Sequence, residues 1–452
     1  MIEELIVGLG AIVGDRHVVT GSDLHGIDPG FHPENLSGAA AVFPADTRQV
    51  ADVVKICSKY GVSIVPQGGR TGLSGGAVSK AGSVALGLRR MNAVERCDPL
   101  AGTVVVQAGA TLQSVADHCA VHGLSVGIDL GARGSATIGG MIATNAGGMT
   151  AFRNGTMRNR VLGTEIVLAN GSIVTDLTEV EKCNEGYSLT QLICGSEGTL
   201  GIVTRAVLRL TTEPTVTSTT LIAVENAHAA LTILRAVQKA RDLTAVHAEI
   251  MWKDYAETVA AALRLSGIIS FANAPAYFLL DVAETVEDGL LDLLSDLNVT
   301  KAIMCKSESE RADLWRIREE SFEIDRQVPN CEWFDISMPL DRIDMTLAGI
   351  RQRIASIDHG LRVWAMGHLG DGNLHLTIGS GQPLSDLTKT AIADAVYQGL
   401  KQIGGAFSAE HGIGIDKRAS LIKHADPEKL RLCRVIKKAF DPENMLNPGK
   451  LI

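Results

Sequence analysis

Three glycine-rich segments, each adjoining an apolar run typical of a β-strand, constrain the fold of this chain more than any other feature. The segments lie at 66–76, 127–148 and 195–201, and glycine makes up 47 of the 452 residues, against an average usage of ~7%. Clustered glycines permit positive φ angles and let a backbone approach a neighbouring group closely. Successive N–H groups in such loops can form a nest for an anion, so the three segments together favour a large, extended, anionic cofactor.

The glycines do not match two common nucleotide motifs. The loop at 66–76 lacks the Lys-Ser/Thr pair of a P-loop, which argues against nucleotide hydrolysis. The segment at 8–14, GLGAIVG, has the spacing GxGxxxG and follows no clear strand, which argues against a nicotinamide dinucleotide. Each loop alone would also be compatible with a tight surface turn, but three of them favour the cofactor.

The chain is too long for one hydrophobic core, because cores stop growing at roughly 250–300 residues. Residues 39–65 predict a strand, an amphipathic helix ended by Gly61 and a second strand that enters the first glycine loop. The best linker candidate is TTEPTV at 211–216. We therefore predict an α+β fold with domains at 1–214 and 215–425 and a C-terminal segment at 426–452; helical patterns in the second domain lie at 226–241, 253–266, 308–326 and 340–357.

The motifs PQGGRTGLSGG (66–76), IGGMIATNAGG (138–148) and GSEGTLGIV (195–203) resemble the FAD-binding domain of the vanillyl-alcohol-oxidase superfamily. Within it, nearly the whole chain resembles the branch of D-lactate, glycolate and D-2-hydroxyglutarate dehydrogenases. The resemblance implies FAD with its pyrophosphate on the 66–76 loop, and 127–148 and 195–203 around the isoalloxazine and ribityl parts. It also implies an α+β cap domain at 215–425 for substrate and metal, and a C-terminal segment that packs back on the FAD domain, toward the flavin.

The cofactor is expected to be non-covalent, because members that hold FAD covalently use a His or Cys and the 66–76 loop contains neither. The candidate FAD-binding residues are Pro66, Gly68, Gly69, Arg70, Thr71, Gly72, Leu73, Gly75, Gly76, Asp129, Gly131, Ser135, Thr137, Ile138, Gly139, Gly140, Asn145, Gly147, Gly148, Glu197, Gly198, Gly201, Ile202 and Asn447. Asn447 is included because it corresponds to a C-terminal loop that returns toward the flavin in this family; the alternative is a simple terminal turn.

A second motif, GHLGDGNLH at 367–375, places two histidines around a turn. If Asp371-Gly372 is a two-residue hairpin turn, His368 lies opposite His375 with Cβ atoms about 4.5–5.5 Å apart, close enough to share one metal ion. A helix would also align the two residues, but its internal glycines argue against it. A lone histidine pair of this kind also occurs without any metal.

Glu410 and His411, in the segment AEHGIG, are the remaining candidates. On a regular strand they would point to opposite sides, so both can serve one site only if the backbone turns, which Gly412 and Gly414 permit. Two imidazoles and a carboxylate with an open position are typical of a catalytic metal site. The resemblance implies the same roles: His368, His375 and Glu410 bind zinc, or manganese, and His411 is the catalytic base. Taken alone, Glu410-His411 could equally be a surface pair.

These roles predict the oxidation of a D-2-hydroxy acid to a 2-keto acid. A divalent metal ion would lower the pKa of the C2 hydroxyl, and His411, with an intrinsic pKa near ~6.5, can accept its proton around neutral pH. The C2 hydride then passes to flavin N5. Arg318 matches the family's substrate arginine, which can clamp a carboxylate bidentately, whereas an arginine on a helix is otherwise usually solvated.

Three further positions concern the substrate. Members that act on 2-hydroxyglutarate carry Thr, Lys and Asn where this chain has Phe322, Trp333 and Thr377. The exchange removes polar partners for a second carboxylate, and burying an unpaired carboxylate is costly. A monocarboxylic acid such as D-mandelate or D-lactate is therefore expected, with the substrate contacted by Arg318, Phe322, Trp333, Thr377 and His411. The alternative is that Phe322 and Trp333 belong to the core of the cap.

Other functions stay open at this point. On the same fold they are a D-2-hydroxyglutarate or D-malate dehydrogenase, an oxidase that uses dioxygen, and a reductase that uses nicotinamide. Outside it they are a metal-dependent hydrolase without flavin and a non-catalytic flavin- or metal-binding protein. A base beside three metal ligands argues against the last, because a binding protein has no use for a base.

Composition bounds the partners and the compartment. A net charge of -9 argues against nucleic acid, and eight scattered cysteines without a C-x-x-C pair indicate neither a disulfide framework nor a zinc cage. No signal peptide is recognised, and no apolar run reaches about 18 residues, so a transmembrane segment is not expected. We expect a cytoplasmic enzyme with an electron-transfer flavoprotein or a quinone as electron acceptor; the sequence leaves the oligomeric state open, a homodimer included.

Overall fold

The computed structural model describes residues 2–286 and 288–452, which form both helices and sheets. The strands are β1 (Val18–Thr20), β2 (Ala40–Val42), β3 (Ile64–Gln67), β4 (Val84–Gly87), β5 (Val94–Asp98), β6 (Thr103–Gln107), β7 (Val161–Val167), β8 (Ile173–Asp176), β9 (Ile202–Arg209), β10 (Ser218–Val224), β11 (Leu243–Trp252), β12 (Ala276–Glu284), β13 (Ala302–Met304), β14 (Glu332–Ser337), β15 (Arg362–His368) and β16 (Asn373–Gly379).

The α-helices are α1 (Ile2–Val13), α2 (Thr47–Lys59), α3 (Leu112–Ala120), α4 (Ile138–Thr144), α5 (Ala151–Asn154), α6 (Met157–Arg160), α7 (Leu189–Ile193), α8 (Ala227–Lys239), α9 (Lys253–Ala262), α10 (Ser266–Ile269), α11 (Gly289–Asp296), α12 (Glu308–Glu319), α13 (Phe322–Gln327), α14 (Ile343–Ile357), α15 (Asp386–Tyr397), α16 (Arg418–His424) and α17 (Pro427–Phe440). Short 3-10 helices cover Asp15–His17, Gly21–Gly26, Pro33–Leu36, Leu340–Arg342 and Lys401–Ile403. Among the described helices, none has the length and apolar character needed to cross a bilayer.

The chain divides into two compact units. The first comprises Met1–Gly148, Asn154–Glu213 and Glu410–Ile452, and the second comprises Met149–Arg153 and Pro214–Ala409. The chain therefore returns to the first unit at Glu410, whereas the sequence predicts that the returning segment starts at 426. This difference assigns Glu410 and His411 to the first unit and not to the predicted cap domain at 215–425.

Two sheets build the first unit. One has the order β1-β2-β4-β3, in which β2, β4 and β3 are parallel, and the other has the antiparallel order β5-β6-β9-β7-β8. Helix α2 begins after Asp46, whose carboxylate accepts the N–H of Gln49, and it is followed by Gly61 at φ 65°. That glycine is the predicted helix terminator, since the left-handed region is readily accessible to glycine.

The free edge of β3 is paired by the C-terminal segment. The N–H of Ile64 donates to the carbonyl of Met445 at 2.8 Å, and the N–H of Asn447 donates to the carbonyl of Ile64 at 2.7 Å. The bridge between Ile64 and Leu446 is parallel, and both side chains are fully buried. An edge strand with unpaired N–H and C=O groups is thereby covered by residues far away in the sequence.

Within the segment at 8–14, Gly8 serves helix packing. Gly8 and Gly10 lie inside α1, and a Cβ atom at Gly8 would lie 2.1 Å from Cδ1 of Ile56 in α2. The absence of a side chain therefore lets α1 approach α2 closely.

The second unit contains one antiparallel sheet in the order β13-β10-β12-β11-β15-β16-β14. One face carries Met251, Trp364 and Met366, which pack with Tyr255 of α9 and Trp315 of α12. The helix predicted over 308–326 is broken into α12 and α13, and the long strand β11, which lies beside β15 in the sheet, is not predicted.

The hairpin between β15 and β16 has a different register from the predicted one. His368 pairs with Asn373, and Met366 pairs with His375, so the connection spans four residues rather than Asp371-Gly372 alone. Within the connection, the N–H of Leu369 donates to the carbonyl of Ala248, and the carbonyl of Gly372 accepts the N–H of Met338. A shift of two residues preserves which face a side chain occupies. His368 and His375 consequently still lie on one face, with ring centroids 5.2 Å apart.

Candidate active site

A cavity in the first unit is lined by all three glycine-rich segments. Gly72 and Gly131 show that its space is kept open: a Cβ atom at either position would meet no atom within 4 Å, and neither residue has a positive φ. Glycine at these two positions leaves space in the cavity, and the backbone conformation does not require it. The predicted FAD-binding residues that line the cavity are Pro66, Gly68, Gly69, Arg70, Thr71, Gly72, Leu73, Gly76, Gly131, Thr137, Gly139, Gly140, Gly147, Glu197, Gly198, Gly201 and Ile202.

The first two segments are in direct backbone contact. A Cβ atom at Gly69 would lie 1.8 Å from the carbonyl oxygen of Ser135, and one at Gly68 would lie 2.2 Å from Oγ1 of Thr137. A side chain at Gly69 would require the backbone to move, and one at Gly68 would require the Thr137 side chain to move. The glycine-rich walls and the backbone polar groups of the cavity fit the pyrophosphate and the rings of FAD.

Other predicted FAD-binding residues stabilise the walls. Asp129 forms an ion pair with Arg133 at 2.7 Å, Ile138 is fully buried in the core, and Asn145 ends α4 in the left-handed region. The carbonyl of Ser135 lies against Gly69, Gly75 has φ 67° beside Ile415, and Gly148 has φ 117° beside Asp129.

Sequence reasoning missed several residues that line the cavity. Those within the glycine-rich motifs could have been found from their neighbours, whereas Leu88 and Ile193 carry no recognisable signal. The missed residues are Gln67, Ser74, Ala77, Leu88, Leu130, Ala132, Ala136, Met141, Ala143, Thr144, Ala146, Ile193, Ser196, Val203 and Gly414.

Asn447 connects two of the glycine-rich segments through hydrogen bonds to their backbone. Its Nδ2 donates to the carbonyl of Gly76 at 3.0 Å and to the carbonyl of Glu197 at 2.8 Å. Nζ of Lys450 donates to the carbonyl of Val78 and to Oδ1 of Asn447, and burial lowers the pKa of Lys450 to about 8. The predicted return of the C-terminal segment is confirmed, and Asn447 acts on the loops that carry the cavity.

Glu410 and His411 line the same cavity. The backbone turns directly after them, as predicted, with φ 74° at Gly412 and φ 52° at Gly414. Oε1 of Glu410 accepts the N–H of Gly148 at 2.8 Å, which fixes the carboxylate at the end of the second glycine-rich segment.

The turn after His411 is held by Glu197. Its carboxylate accepts the N–H of Ile413 at 2.6 Å and that of Gly414 at 2.7 Å. Burial raises the pKa of Glu197, and the two backbone N–H groups oppose that rise. Glu197, predicted as an FAD contact, therefore orients the segment that carries His411, the predicted base.

In the second unit, His368 is held by a residue that sequence reasoning missed. Nδ1 of His368 lies 2.8 Å from Oε1 of Glu249, and the Glu249 side chain is completely buried. The same carboxylate accepts Nε of Arg318 at 2.6 Å through its other oxygen. The predicted substrate arginine and the predicted metal ligand therefore share one carboxylate.

The other predicted residues of the second unit lie on the same sheet face. Trp333 pairs with Thr377 and Asp335 pairs with His375 across β14 and β16, so these four side chains point to one side. Oδ1 of Asp335 lies 3.8 Å from Nδ1 of His375. Phe322 contacts Trp333 with ring centroids 4.6 Å apart and is 45% exposed, so Phe322 is not part of the cap core.

Comparisons with known proteins agree with this architecture. Residues 38–176 match the family described as "FAD binding domain", and residues 213–451 match "FAD linked oxidases, C-terminal domain". The chain is similar to the mitochondrial D-2-hydroxyglutarate dehydrogenase of Arabidopsis thaliana, with 32% identity over 93% of this chain and 76% of that protein. It is also similar to D-2-hydroxyglutarate dehydrogenase of Xanthomonas citri pv. viticola, with 33% identity over 91% of this chain and 89% of that protein.

Solved structures show the same fold at lower identity. p-Cresol methylhydroxylase with bound substrate matches with a TM-score of 0.74 and 18% identity, covering 99% of this chain and 96% of that one. The 4-ethylphenol oxidase of Gulosibacter chungangensis matches with a TM-score of 0.72, 18% identity and the same coverage. The chain has the vanillyl-alcohol-oxidase fold and belongs to the FAD-linked oxidase family, as an FAD-dependent dehydrogenase that oxidises the CH–OH group of a D-2-hydroxy acid.

Proposed function

We propose that this dehydrogenase oxidises D-2-hydroxyglutarate to the 2-keto acid with the help of a divalent metal ion. The observation that carries the choice of substrate is the name shared by relatives that are 30–33% identical over at least 90% of the chain. The predicted preference for a monocarboxylic acid becomes the second candidate, because the relatives favour a dicarboxylic one.

The second unit offers two imidazoles that fit a divalent metal ion. Nδ1 of His368 lies 2.8 Å from Oε1 of Glu249. With its hydrogen on Nδ1, the ring carries on Nε2 the lone pair that a metal needs. His375 lies beside it on the neighbouring strand. We propose zinc, or manganese, at this pair; the role of Glu410 as third ligand stays a prediction from the sequence.

The chain's own residues then account for binding and proton transfer. Bound FAD supplies the acceptor for the C2 hydride, and a bound metal ion supplies Lewis acidity toward the C2 hydroxyl. The guanidinium of Arg318, oriented by Glu249, is suited to hold the C1 carboxylate. His411, which lines the FAD cavity, accepts the hydroxyl proton.

The second candidate substrate is a monocarboxylic acid such as D-mandelate or D-lactate. It is favoured by the Phe322–Trp333 pair, which presents aromatic surface on the side of the sheet that carries His375. A second carboxylate against this surface would lose solvation without gaining a charged partner from these two residues.

Dye reduction by the purified holoenzyme separates the two candidates. We expect kcat/KM for D-2-hydroxyglutarate to exceed the values for D-malate, D-mandelate and D-lactate, and EDTA to abolish turnover until zinc or manganese is restored. A higher kcat/KM for D-mandelate would reject the first candidate in favour of the second. Full turnover in EDTA, with no metal in the protein, would reject the metal site.

The double variant Phe322→Thr/Trp333→Lys tests the same question from the protein side. If the aromatic pair sets the preference, this variant raises kcat/KM for D-2-hydroxyglutarate relative to D-mandelate. An unchanged ratio would show that the pair does not contact the substrate.

We propose an electron-transfer flavoprotein or a quinone as the electron acceptor and the cytoplasm as the location.

A further inference from the structure

Glu249 occupies an unusual position for a carboxylate, in the interior of a strand with no exposed surface. Its two oxygens have different partners: Oε2 accepts from Nε of Arg318 at 2.6 Å, and Oε1 lies 2.8 Å from Nδ1 of His368. Both partners are themselves buried, at 5% exposure each. A buried charge is tolerated only when it is paired and hydrogen-bonded, so this arrangement fixes all three side chains together.

The carboxylate of Glu249 is placed to accept hydrogen bonds on both of its oxygens. Oε2 accepts from the guanidinium of Arg318, which can only donate. Oε1 lies 2.8 Å from Nδ1 of His368, so that a hydrogen on Nδ1 has its acceptor there. This contact holds the ring in the orientation and the tautomer suited to metal binding through Nε2.

A second triad on the same sheet face shows what Glu249 adds. Asp281 is also completely buried, and its carboxylate contacts Arg311 at 2.7 Å and His247 at 3.0 Å. Both triads thus combine one buried carboxylate, one arginine of α12 and one histidine. The Asp281 triad, however, contains none of the residues predicted to bind substrate or metal.

The geometry of helix α12 explains why the two triads have the same composition. Arg311, Trp315 and Arg318 are spaced by four and three residues, so they share one face of the helix. His247 and Glu249 are two residues apart on β11 and therefore point to the same side of the sheet. Trp315 packs edge-on against His247, with ring centroids 5.0 Å apart. Two arginine–carboxylate pairs therefore dock α12 on the sheet, one at each end of this face.

We propose that Glu249 is a positioning residue that couples the metal site to the carboxylate-binding arginine. It acts through His368 and Arg318 and does not touch the substrate. Asp281 holds α12 on the sheet but contacts no residue of the proposed metal or substrate site. The inference rests on the proposed function, because it takes His368 as a metal ligand and Arg318 as the substrate arginine.

The test compares Glu249→Gln with Asp281→Asn in the purified holoenzyme. Both substitutions keep the side-chain volume and remove a buried negative charge from an arginine–histidine triad, so both are expected to lower the melting temperature. Zinc affinity is measured by competition with a chromophoric chelator, without turnover. We expect E249Q to weaken zinc binding roughly 10- to 100-fold and D281N to leave it at the wild-type value. In steady-state kinetics, E249Q should also raise KM for the hydroxy acid, because Arg318 loses its fixed orientation.

Two further variants make the outcome unambiguous. Glu249→Asp keeps the charge but shortens the side chain by one methylene, and it serves if E249Q fails to fold; weaker zinc binding than in D281N is again expected. His368→Ala is the reference for loss of a ligand. If H368A weakens zinc binding while E249Q and E249D bind as tightly as wild type, the positioning role of Glu249 is refuted and the metal site stands. If H368A itself binds zinc normally, the proposed metal site fails, and the inference fails with it.

Discussion

Two glycines of one loop, Gly69 and Gly72, are expected to respond oppositely to substitution by alanine. At Gly69 the new Cβ atom would lie 1.8 Å from the carbonyl oxygen of Ser135, so backbone must move. Overpacking of this kind costs about 1–3 kcal/mol. At Gly72 a Cβ atom meets nothing within 4 Å and φ is not positive, so Gly72→Ala should stabilise the flavin-free protein by about 0.4–1 kcal/mol through the unfolded state.

Gly72→Ala should weaken FAD binding even though it does not destabilise the flavin-free protein. The added methyl group enters the cavity, and a clash of about 1–3 kcal/mol with the cofactor corresponds to a roughly 5- to 150-fold weaker Kd for FAD. In the flavin-free protein, 1 kcal/mol shifts the melting temperature by roughly 2–4 °C for a domain of 150–250 residues. We therefore expect G69A to melt roughly 2–12 °C lower than wild type and G72A to melt at or slightly above wild type.

The assay combines thermal melts of the flavin-free protein with FAD titration followed by flavin fluorescence. Wild-type FAD affinity in G72A would refute the assignment of this cavity to the cofactor. A melting temperature that falls as far in G72A as in G69A would refute the reasoning about open space.

Three further predictions concern the first unit. His411→Asn should lower kcat by roughly 10²- to 10⁴-fold while the flavin absorbance spectrum persists; wild-type kcat would exclude His411 as the base. Asn447→Ala removes the donor that two buried carbonyls share, those of Gly76 and Glu197, and should destabilise the protein by about 1–3 kcal/mol in urea unfolding; no change in the urea midpoint would contradict the role. Because the folded-state pKa of Lys450 is lowered to about 8 from 10.5, the unfolded state binds more protons between these values, and the free energy of unfolding gains a term that rises with pH there. Lys450→Met should lack that rise relative to wild type, and parallel pH profiles would show that the shift is absent.

The glycine-rich segments could be identified from the sequence because their function imposes residue type directly. At Gly69 the close backbone contact excludes a side chain, and at Gly72 the lack of a side chain leaves open space. The histidine pair was also predictable in spite of the wrong register, because a shift of two residues leaves His368 and His375 on the same face.

Glu249 and Asp281 could not be identified in the same way. A charged residue within a strand normally indicates an exposed side, and the partners that reverse this, Arg318 and Arg311, lie about 30 to 70 residues away in α12. The second domain boundary was missed for a similar reason. No composition change marks Glu410, and its place in the first unit depends on contacts such as that with Gly148.

The pairing of residues 445–447 with the edge of β3 has a consequence for the order of folding. The whole of Pro214–Ala409 separates the two partners along the chain, and at ribosomal rates of about 5–20 residues per second its synthesis takes roughly 10–40 s. During that time the edge of β3 has no partner from the tail, and Glu197 lacks the N–H groups of Ile413 and Gly414. The second unit can complete its own sheet first. The cavity of the first unit is completed only after residues 410–447 have been synthesised.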